Sequence, residues 1–450
     1  MKGNSATFQI DDPAHWKRLA FQWAVSFSPL CFLDSNQYPS KPGSYECLIG
    51  AGSARSLLLD QAPGAFDCLR DFQEKRPSWL FGHLSYDLKN DVEQLNSRHE
   101  DHLGFPVLHF FEPLHVLELF PDGTLKITCL DDDPAKVFET IKRQHLPSPS
   151  RPFLDSQLKL QPRIGPGEYL KKIARLQEHI LEGDIYEVNF CQEFFAENCR
   201  IDAPALFQQL NQLSRAPFSA YYRHDDCYLL CASPERFLRK EGALLTSQPI
   251  KGTLHRGRDA EEDLIFREQL KNSEKDRAEN VMIVDLVRND LARSCVPGSV
   301  TVPELFGIYP FPQVFQMIST VTGRLREEVS FADAIRWAFP MGSMTGAPKV
   351  RAMELIEEYE ESRRGLYSGA LGYITPEGDF DFNVVIRSLL YNQARSYLSF
   401  QVGGAIVCDS SPEREYEECL WKARALLTVL GQDAASMTKP SDFRSSQNRG

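Results

Sequence analysis

A lysine stands beside a glycine in residues 247–253, which read SQPIKGT and predict a short strand that turns into a loop. Glycine leaves the backbone bare, so a ligand can approach Lys251 closely. The amine of this lysine is a weak nucleophile while it is protonated. We expect burial or a neighbouring cation to lower its pKa and make it reactive. The ordinary alternative is a solvated loop lysine, and the groups that the fold brings to Lys251 decide between the two.

Two pairs of carboxylates follow further along the chain. Asp276 and Glu279 are three residues apart in a segment with helical periodicity, and Glu415 and Glu418 repeat that spacing in another. Side chains at i and i+3 share one face of a helix. Acidic residues near a helix start can also be solvated groups that the helix dipole favours. Magnesium binds a few carboxylates together with water and a substrate oxygen, so the two pairs predict a Mg²⁺ site.

An arginine and two small-residue segments are the remaining candidates for ligand binding. Arg387 lies in VVIRSLLY, which otherwise reads as an apolar strand. A guanidinium there needs a partner, either a ligand carboxylate or an internal salt bridge. Residues 403–405 offer bare backbone, and the loop at 341–347 precedes a helix, where free N–H groups can hold an anion. Ala-Pro follows Gly346 in that loop, so it is not a Walker A nucleotide site.

Composition excludes several other classes of protein. The 450 residues carry a formal net charge of −12 and show no basic stripe with interleaved aromatic residues, so nucleic acid is not an expected partner. No apolar run approaches the roughly 20 residues that span a bilayer, so no membrane association is expected. Residues 1–13 lack a signal-peptide core, and the eleven cysteines are scattered, which predicts reduced thiols in the cytoplasm.

The sequence predicts four regions along the chain. They are an α/β lobe over 1–145, a Pro/Ser-rich linker over 146–163, a region with the candidate chemistry over 164–431 and a disordered polar tail over 432–450.

Within the third region, apolar periodicity and end signals locate the main elements. Helices are predicted over 167–183, 274–292, 348–359 and 412–431. A strand hairpin is predicted over 226–239 and 243–253, with Ser233-Pro234-Glu235 as a bend or bulge.

Nine segments of the chain resemble the chorismate-utilising enzymes, which include the anthranilate, aminodeoxychorismate, isochorismate and salicylate synthases. They lie between about residues 165 and 430 and read GDIYEVNF, ASPERFL, PIKGT, EKDRAENVMIVDLVRNDLA, GSMTGAPKVRAMELIE, LYSGALGY, VVIRS, VGGAIV and EREYEECLWKA. Their order and spacing are also similar to the family's. FGHLSYDL and FFEP in the N-terminal region resemble it more weakly.

The resemblance implies an α+β fold like that of anthranilate synthase component I. Two packed β-sheets would have helices on the outside, in a four-layer sandwich, with chorismate and Mg²⁺ bound between the sheets. By the same resemblance, Glu279 and Glu418 bind Mg²⁺ directly, and Asp276 and Glu415 act through water. Arg387 and Tyr367 hold a substrate carboxylate, and Glu235 helps the C4 hydroxyl leave. The resemblance places the other pocket residues at Gly252, Thr253, Ser343, Gly403, Gly404, Ala405 and Lys422.

Two positions separate the members of this family. Glu187 in YEVNF stands where isochorismate and salicylate synthases carry a lysine that activates water, which argues against water as the nucleophile. Lys251 stands where anthranilate synthases usually have alanine, and it is similar to the aminodeoxychorismate synthases. A lysine that adds at C2 of chorismate can expel the C4 hydroxyl, after which ammonia enters at C4 and displaces the lysine. The expected product is 4-amino-4-deoxychorismate, the precursor of p-aminobenzoate and folate.

The chain departs from the family pattern at two positions, and two other functions remain as alternatives. Gln316 replaces a usual histidine and cannot relay protons, and Met341 replaces a usual glycine. The alternative functions are anthranilate synthesis and a non-catalytic subunit that binds chorismate or tryptophan. We find no glutaminase cysteine in a strand–elbow–helix setting, so ammonia is expected from a separate glutamine amidotransferase subunit.

Overall fold

Two large antiparallel β-sheets pack against each other in the computed structural model, which describes residues 3–38, 44–146 and 158–432. Helices cover the outer faces of both sheets, which confirms the predicted α+β fold. The strands, numbered along the chain, are β1 Asn4–Gln9, β2 Leu30–Asp34, β3 Cys47–Ala51, β4 Arg55–Leu59, β5 Leu80–Leu84, β6 Leu108–Glu112, β7 His115–Leu119, β8 Thr124–Cys129, β9 Gln161–Pro162, β10 Glu187–Ala196, β11 Phe218–His224, β12 Cys227–Ser233, β13 Arg236–Glu241, β14 Leu244–Gln248, β15 Ile250–His255, β16 Thr301–Pro310, β17 Val314–Arg324, β18 Gly346–Ala347, β19 Ala370–Ile374, β20 Phe380–Val384, β21 Ser388–Asn392 and β22 Tyr397–Ile406.

The helices, numbered along the chain, are α1 Pro13–Ala24, α2 Ala65–Lys75, α3 Lys89–Val92, α4 Pro134–Lys142, α5 Pro166–Glu182, α6 Ala203–Ser214, α7 Ala260–Asn272, α8 Glu274–Ala292, α9 Phe331–Ala338, α10 Lys349–Tyr359 and α11 Pro412–Val429. The four predicted helices, now α5, α8, α10 and α11, begin and end within about two residues of their predicted bounds. The hydroxyl of Ser273 caps α8 by accepting a hydrogen bond from the N–H of Asp276. Gly183, with φ of 86°, ends α5 in the left-handed conformation.

Each sheet contains a block of strands from the N-terminal part of the chain beside a block of strands from the C-terminal part. In the described residues, the first sheet runs β1-β8-β7-β3-β2-β11-β12-β21-β22-β10-β18, and β9 also pairs with β10. The second sheet runs β15-β17-β14-β13-β20-β19-β5-β6-β4, and β16 also pairs with β17. Residues before and after the predicted linker therefore share both sheets. Most of that linker and nearly all of the predicted tail lie outside the described residues.

Alternating side chains of the first sheet pack into two hydrophobic cores on its opposite faces. On β12, Tyr228, Leu230 and Ala232 pack into a core with α1, α5, α6 and α11. Their neighbours Leu229 and Cys231 face the other way, into a core that joins the two sheets and includes α2, α8 and α9. The sheets thus form the two inner layers of a sandwich with helices on both outer sides.

The chain crosses from one sheet to the other at Pro234 and Glu235. β12 belongs to the first sheet and β13 to the second, so the interruption predicted as a bend within one strand is a crossover. β14 and β15 then pair along the same partner strand, β17, on either side of Pro249. This crossover carries Glu235 to the boundary between the sheets.

In the described part of the chain, none of the helices combines the length and the apolar character that crossing a membrane requires.

Candidate active site

A cavity of about 550 Å³ opens where strands of both sheets meet α8 and α11. β10 and β22 contribute from the first sheet, and β15 and β17 from the second. The cavity brings together fourteen of the residues singled out from the sequence, which are Glu235, Lys251, Gly252, Thr253, Asp276, Glu279, Ser343, Tyr367, Arg387, Gly403, Ala405, Glu415, Glu418 and Lys422. Segments separated by up to about 190 residues thus converge on one volume of the size that a small ligand needs.

Gly252 and Gly404 have different structural roles at the site. Gly252 has φ of +93°, and a Cβ built there would lie 3.0 Å from the Cβ of Asp276. Both the conformation and the close approach require glycine at this position. Gly404 is not among the residues that line the cavity. A Cβ at Gly404 would lie 3.1 Å from Oε2 of Glu415, so this glycine lets the acidic helix approach β22.

The side chain of Lys251 is 10% exposed and forms a short ion pair with Glu187. Burial lowers the pKa of this lysine, but the carboxylates of Glu187, Glu279 and Glu235 outweigh it, and the pKa lies above its ordinary value. The expectation that burial would lower the pKa of Lys251 is therefore wrong for this structure. The resting lysine is an ammonium, and it needs a proton acceptor before it can act as a nucleophile.

Glu235 occupies the crossover between the sheets and is 5% exposed. Burial raises the pKa of its carboxyl group to about 7, although Ser343, Lys251 and Arg387 act in the opposite direction. A carboxyl group with such a pKa is partly protonated near neutral pH, so Glu235 can donate a proton to a leaving group in the cavity.

Arg387 does not lie in a strand, contrary to the sequence prediction. It occupies the connection between β20 and β21, with φ of 51°. This left-handed conformation is uncommon for a residue other than glycine. The guanidinium borders the cavity, and desolvation lowers its pKa. Among the described residues it has no hydrogen-bond or ion-pair partner, so the internal salt bridge is not formed and a ligand carboxylate is the fitting partner.

The four acidic residues of α8 and α11 face the same cavity from two sides. Burial raises the pKa of Glu279 to about 7 and also raises that of Glu415. Lys422 holds the pKa of Glu418 below its ordinary value through a contact of 2.8 Å. Lys275 lies 3.7 Å from Glu279. The site therefore concentrates negative charge that Lys251, Lys275 and Lys422 compensate only in part.

These carboxylates suit Mg²⁺ in their donor chemistry. Glu279 and Glu418 offer hard oxygen donors beside a cavity with room for water and a substrate oxygen, which is how Mg²⁺ is usually held. In the described residues, no three of the four side chains bring oxygens within 4.8 Å of one another. A Mg²⁺ ion with one carboxylate from each helix and water in its remaining positions agrees with this donor set.

Three features of the site were missed from the sequence. Lys275 is four residues before Glu279, and that spacing could have revealed the pair. The ion pair of Glu187 with Lys251 joins residues 64 positions apart, and no local pattern reveals it. The buried pair of Arg364 and Glu360 was also missed.

Arg364 connects two walls of the cavity, β10 and the loop at 341–347, by hydrogen bonds. One nitrogen of its guanidinium donates to the carbonyl of Met344 at 2.6 Å and another to the carbonyl of Asn189 at 2.8 Å. Glu360 holds the guanidinium with two hydrogen bonds, of 2.6 and 2.9 Å. The pair therefore fixes β10 relative to the loop that carries Ser343.

The chorismate binding enzyme family matches residues 39–428. The chain belongs to this family. A solved structure of anthranilate synthase component I from Streptococcus pneumoniae TIGR4 superposes with a TM-score of 0.74 at 26% identity, over 87% of this chain and 93% of that one. It confirms the fold that the sequence resemblance implied.

Two curated relatives represent two members of the chorismate binding enzyme family. The aminodeoxychorismate synthase component 1 of Klebsiella aerogenes is 48% identical over 263 residues, which are 58% of this chain and 58% of that protein. The anthranilate synthase component 1 of Thermus thermophilus is 36% identical over 372 residues, which are 80% of this chain and 78% of that protein. The relative from Klebsiella aerogenes has the higher identity, but this chain spans only 58% of its length.

Proposed function

We propose that this chain aminates chorismate with ammonia and forms 4-amino-4-deoxychorismate, the precursor of p-aminobenzoate and folate. The observation that carries the proposal is the amine of Lys251 in the cavity of a chorismate binding enzyme, facing a proton donor at Glu235. The relative from Klebsiella aerogenes with 48% identity is named for this activity.

Arg387 and Tyr367 are the groups that we assign to the substrate carboxylate. The guanidinium of Arg387 holds a carboxylate of chorismate, and Tyr367 lies on the same cavity wall. The Tyr367 hydroxyl contacts the sulfur of Cys191 at 3.3 Å, which fixes its ring. Gly252, Thr253, Gly403 and Ala405 present backbone to the ring of the substrate.

The covalent step begins at Lys251. Its amine forms a bond to C2 of the ring, the two ring double bonds shift, and the C4–O bond breaks with its electron pair on oxygen. Glu235 protonates that oxygen, which leaves as water. Ammonia then bonds to C4, the double bonds shift back, and the C2–N bond breaks and returns its electron pair to the lysine. The new amino group returns a proton to Glu235. In the net reaction, chorismate and ammonia therefore give aminodeoxychorismate and water.

Glu279 and Glu418 would hold Mg²⁺, with Asp276 and Glu415 as partners through water. When bound, the ion supplies positive charge that polarises the ring carboxylate and stabilises developing negative charge. Lys422 also donates a hydrogen bond of 2.9 Å to the carbonyl of Gly403, which keeps α11 close to the substrate wall.

Anthranilate synthesis is the second candidate, because the relative from Thermus thermophilus carries that name. Forming anthranilate requires pyruvate to leave, and this elimination needs an additional proton transfer. Gln316 lines the cavity and is 1% exposed, but an amide cannot transfer that proton. Gln316 and Lys251 together favour C4 amination. The presence of Lys251, Glu279, Glu418 and Arg387 argues against a non-catalytic subunit.

Ammonia is proposed to come from a separate glutamine amidotransferase subunit, in keeping with the component 1 name of the relatives. The cytoplasm is the proposed location.

One assay distinguishes the three functions. The protein is incubated with chorismate, Mg²⁺ and ammonium, and the products are identified by mass. Aminodeoxychorismate supports the proposal, anthranilate selects the second candidate, and no product selects the binding subunit. The same assay with Lys251→Ala should show loss of C4 amination. Full activity in that variant would exclude lysine as the nucleophile.

A further inference from the structure

The first residue of β10, Glu187, places a carboxylate against the reacting amine. Glu187 is 5% exposed, and its Oε1 accepts a short hydrogen bond from Nζ of Lys251. The alternation of β10 puts Glu187 on the same face as Cys191, which belongs to the core between the sheets. The carboxylate therefore faces the inside of the sandwich and the lysine.

The resting state of Lys251 requires a base. Because the ion pair with Glu187 holds the lysine as an ammonium, its lone pair is unavailable until a proton leaves. The carboxylates that face this ammonium are Glu187 from β10, Glu279 from α8, Glu418 from α11 and Glu235 from the crossover. Among the described residues, Glu187 makes the one ion pair within 4.0 Å of Nζ.

We propose that Glu187 is the general base that takes the proton of Lys251 and releases its amine for attack on chorismate. This inference rests on the proposed function, since it assigns a further residue to the lysine step. The other carboxylates have different tasks there: Glu235 gives its proton to the leaving hydroxyl, and Glu279 and Glu418 hold the metal. Glu187 touches the reacting nitrogen and does not line the cavity, so it acts on the lysine and not on the substrate.

The proton balance closes over one cycle. One proton moves from Nζ of Lys251 to the carboxylate of Glu187, and the amine then forms the C2–N bond. When ammonia has entered at C4 and the C2–N bond breaks, the lysine leaves as a neutral amine. The protonated Glu187 returns its proton to that amine and restores the ion pair. No other acid, base or oxidant is needed in this exchange.

The test compares the rate of covalent adduct formation in wild type and in Glu187→Gln. Chorismate and Mg²⁺ are added without ammonia, and the adduct is followed by intact-protein mass spectrometry between pH 6 and pH 9. Glutamine keeps the shape and a hydrogen bond but cannot accept the proton. We expect adduct formation to be at least about 100-fold slower at pH 7, the lower end of general-base contributions. The defect should shrink with rising pH, because hydroxide then removes the proton.

A matched control and a second variant keep the outcomes separate. Glu193 lies on the same face of β10, is 3% exposed and pairs with Arg163, away from the cavity. Glu193→Gln removes a buried carboxylate in the same way and should leave the pH profile of adduct formation unchanged. Glu187→Asp keeps the base at a greater distance and should recover part of the rate at pH 7.

Three results would overturn the role of Glu187. They are a Glu187→Gln rate within about threefold of wild type at pH 7, a defect that is equal at every pH, or no recovery in Glu187→Asp. A different result would overturn the proposed function itself: wild type forms no aminodeoxychorismate from chorismate, Mg²⁺ and ammonium. The two failures are therefore distinguishable.

Discussion

Glu279 and Glu418 come from helices that are far apart in the sequence, and each has a lysine beside it. If both carboxylates bind one Mg²⁺, removing either charge weakens the binding of the ion more than it disturbs the fold. We expect Glu279→Gln and Glu418→Gln each to raise the Mg²⁺ concentration for half-maximal activity by at least about 10-fold. The measurement is initial rate against Mg²⁺ at saturating chorismate and ammonium.

Glu413 provides the matched control for this metal titration. It lies at the start of α11, is exposed and does not line the cavity. Glu413→Gln should leave the Mg²⁺ dependence unchanged. Near-normal activity of both Glu279→Gln and Glu418→Gln at ordinary Mg²⁺ would refute the assignment of these ligands.

The sequence located most of the candidate site, because the chemistry limits which side chains can serve. Lys251, the two acidic pairs and Arg387 could all be chosen from their type, their spacing and the family resemblance. The state of Lys251 could not be predicted, since its pKa depends on Glu187 from a strand 64 positions away. The pairing of distant strands sets that contact, and no local pattern encodes it.

At the scale of elements, the helices were easier to predict than the strand connections. α8 matches its predicted bounds because its apolar period and its Ser273 cap are local signals. The crossover at Glu235 and the left-handed connection at Arg387 depend on which sheet the next strand joins. Proline at position 234 signals an interruption, but it does not say that the chain changes sheets.

The pair of Arg364 and Glu360 joins α10 to the cavity wall and belongs to the same scale. Both side chains are at most 4% exposed. Removing one charge leaves the other buried without compensation, which typically costs about 3–5 kcal/mol. We expect Glu360→Gln to lower the free energy of unfolding by about that amount, measured by urea denaturation, and to raise the KM for chorismate.

The exposed pair of Glu354 and Arg351 on the same helix is the control. Its carboxylate and guanidinium lie 2.9 Å apart, and the Glu354 side chain is 46% exposed. An exposed ion pair contributes about 0–1 kcal/mol, so Glu354→Gln should leave both measurements nearly unchanged. Equal effects of the two substitutions would show that the buried pair has no special role.

At the scale of the whole molecule, a cluster of buried histidines links the two sheets. His83 and His109 face each other across β5 and β6 of the second sheet, and His109 bonds the hydroxyl of Tyr222 on β11 of the first. His109 also packs against His224, with 4.2 Å between ring centroids and 37° between the ring planes. Burial lowers the pKa of His83 to about 4 and that of His109 to about 2.

These histidines should make the fold sensitive to acid. In the unfolded chain they take up protons below about pH 6.5, whereas in the folded protein they stay neutral, so the stability present above pH 6.5 falls as the pH drops toward 4. Each contributes a loss of about 2 kcal/mol between pH 7 and pH 5. In His83→Gln, the difference in unfolding free energy between these pH values should shrink by that amount. Replacement of the exposed His15 is the control, and an unchanged difference in His83→Gln would contradict the prediction.

The source of the amino nitrogen, free ammonia or glutamine, is a property of the whole chain. If Lys251 adds at C2 as proposed, a nucleophile that reaches C4 has to displace it, and neutral ammonia is small enough to enter the same cavity. We expect the purified 450-residue chain to aminate chorismate with ammonium and not with glutamine. The rate with ammonium should rise with pH between 7 and 9, because the fraction of neutral ammonia increases about tenfold per unit there.

A glutaminase subunit should change this behaviour without changing the product. When a glutamine amidotransferase is added, glutamine should support amination at neutral pH, since ammonia is then delivered directly to the cavity. Lys251→Ala should stay inactive in C4 amination with either nitrogen source, because the missing nucleophile precedes the entry of ammonia. The measurement is product mass with ¹⁵N-amide glutamine and with ¹⁵N-ammonium. Label from glutamine in the product of the isolated chain would show that the chain hydrolyses glutamine itself.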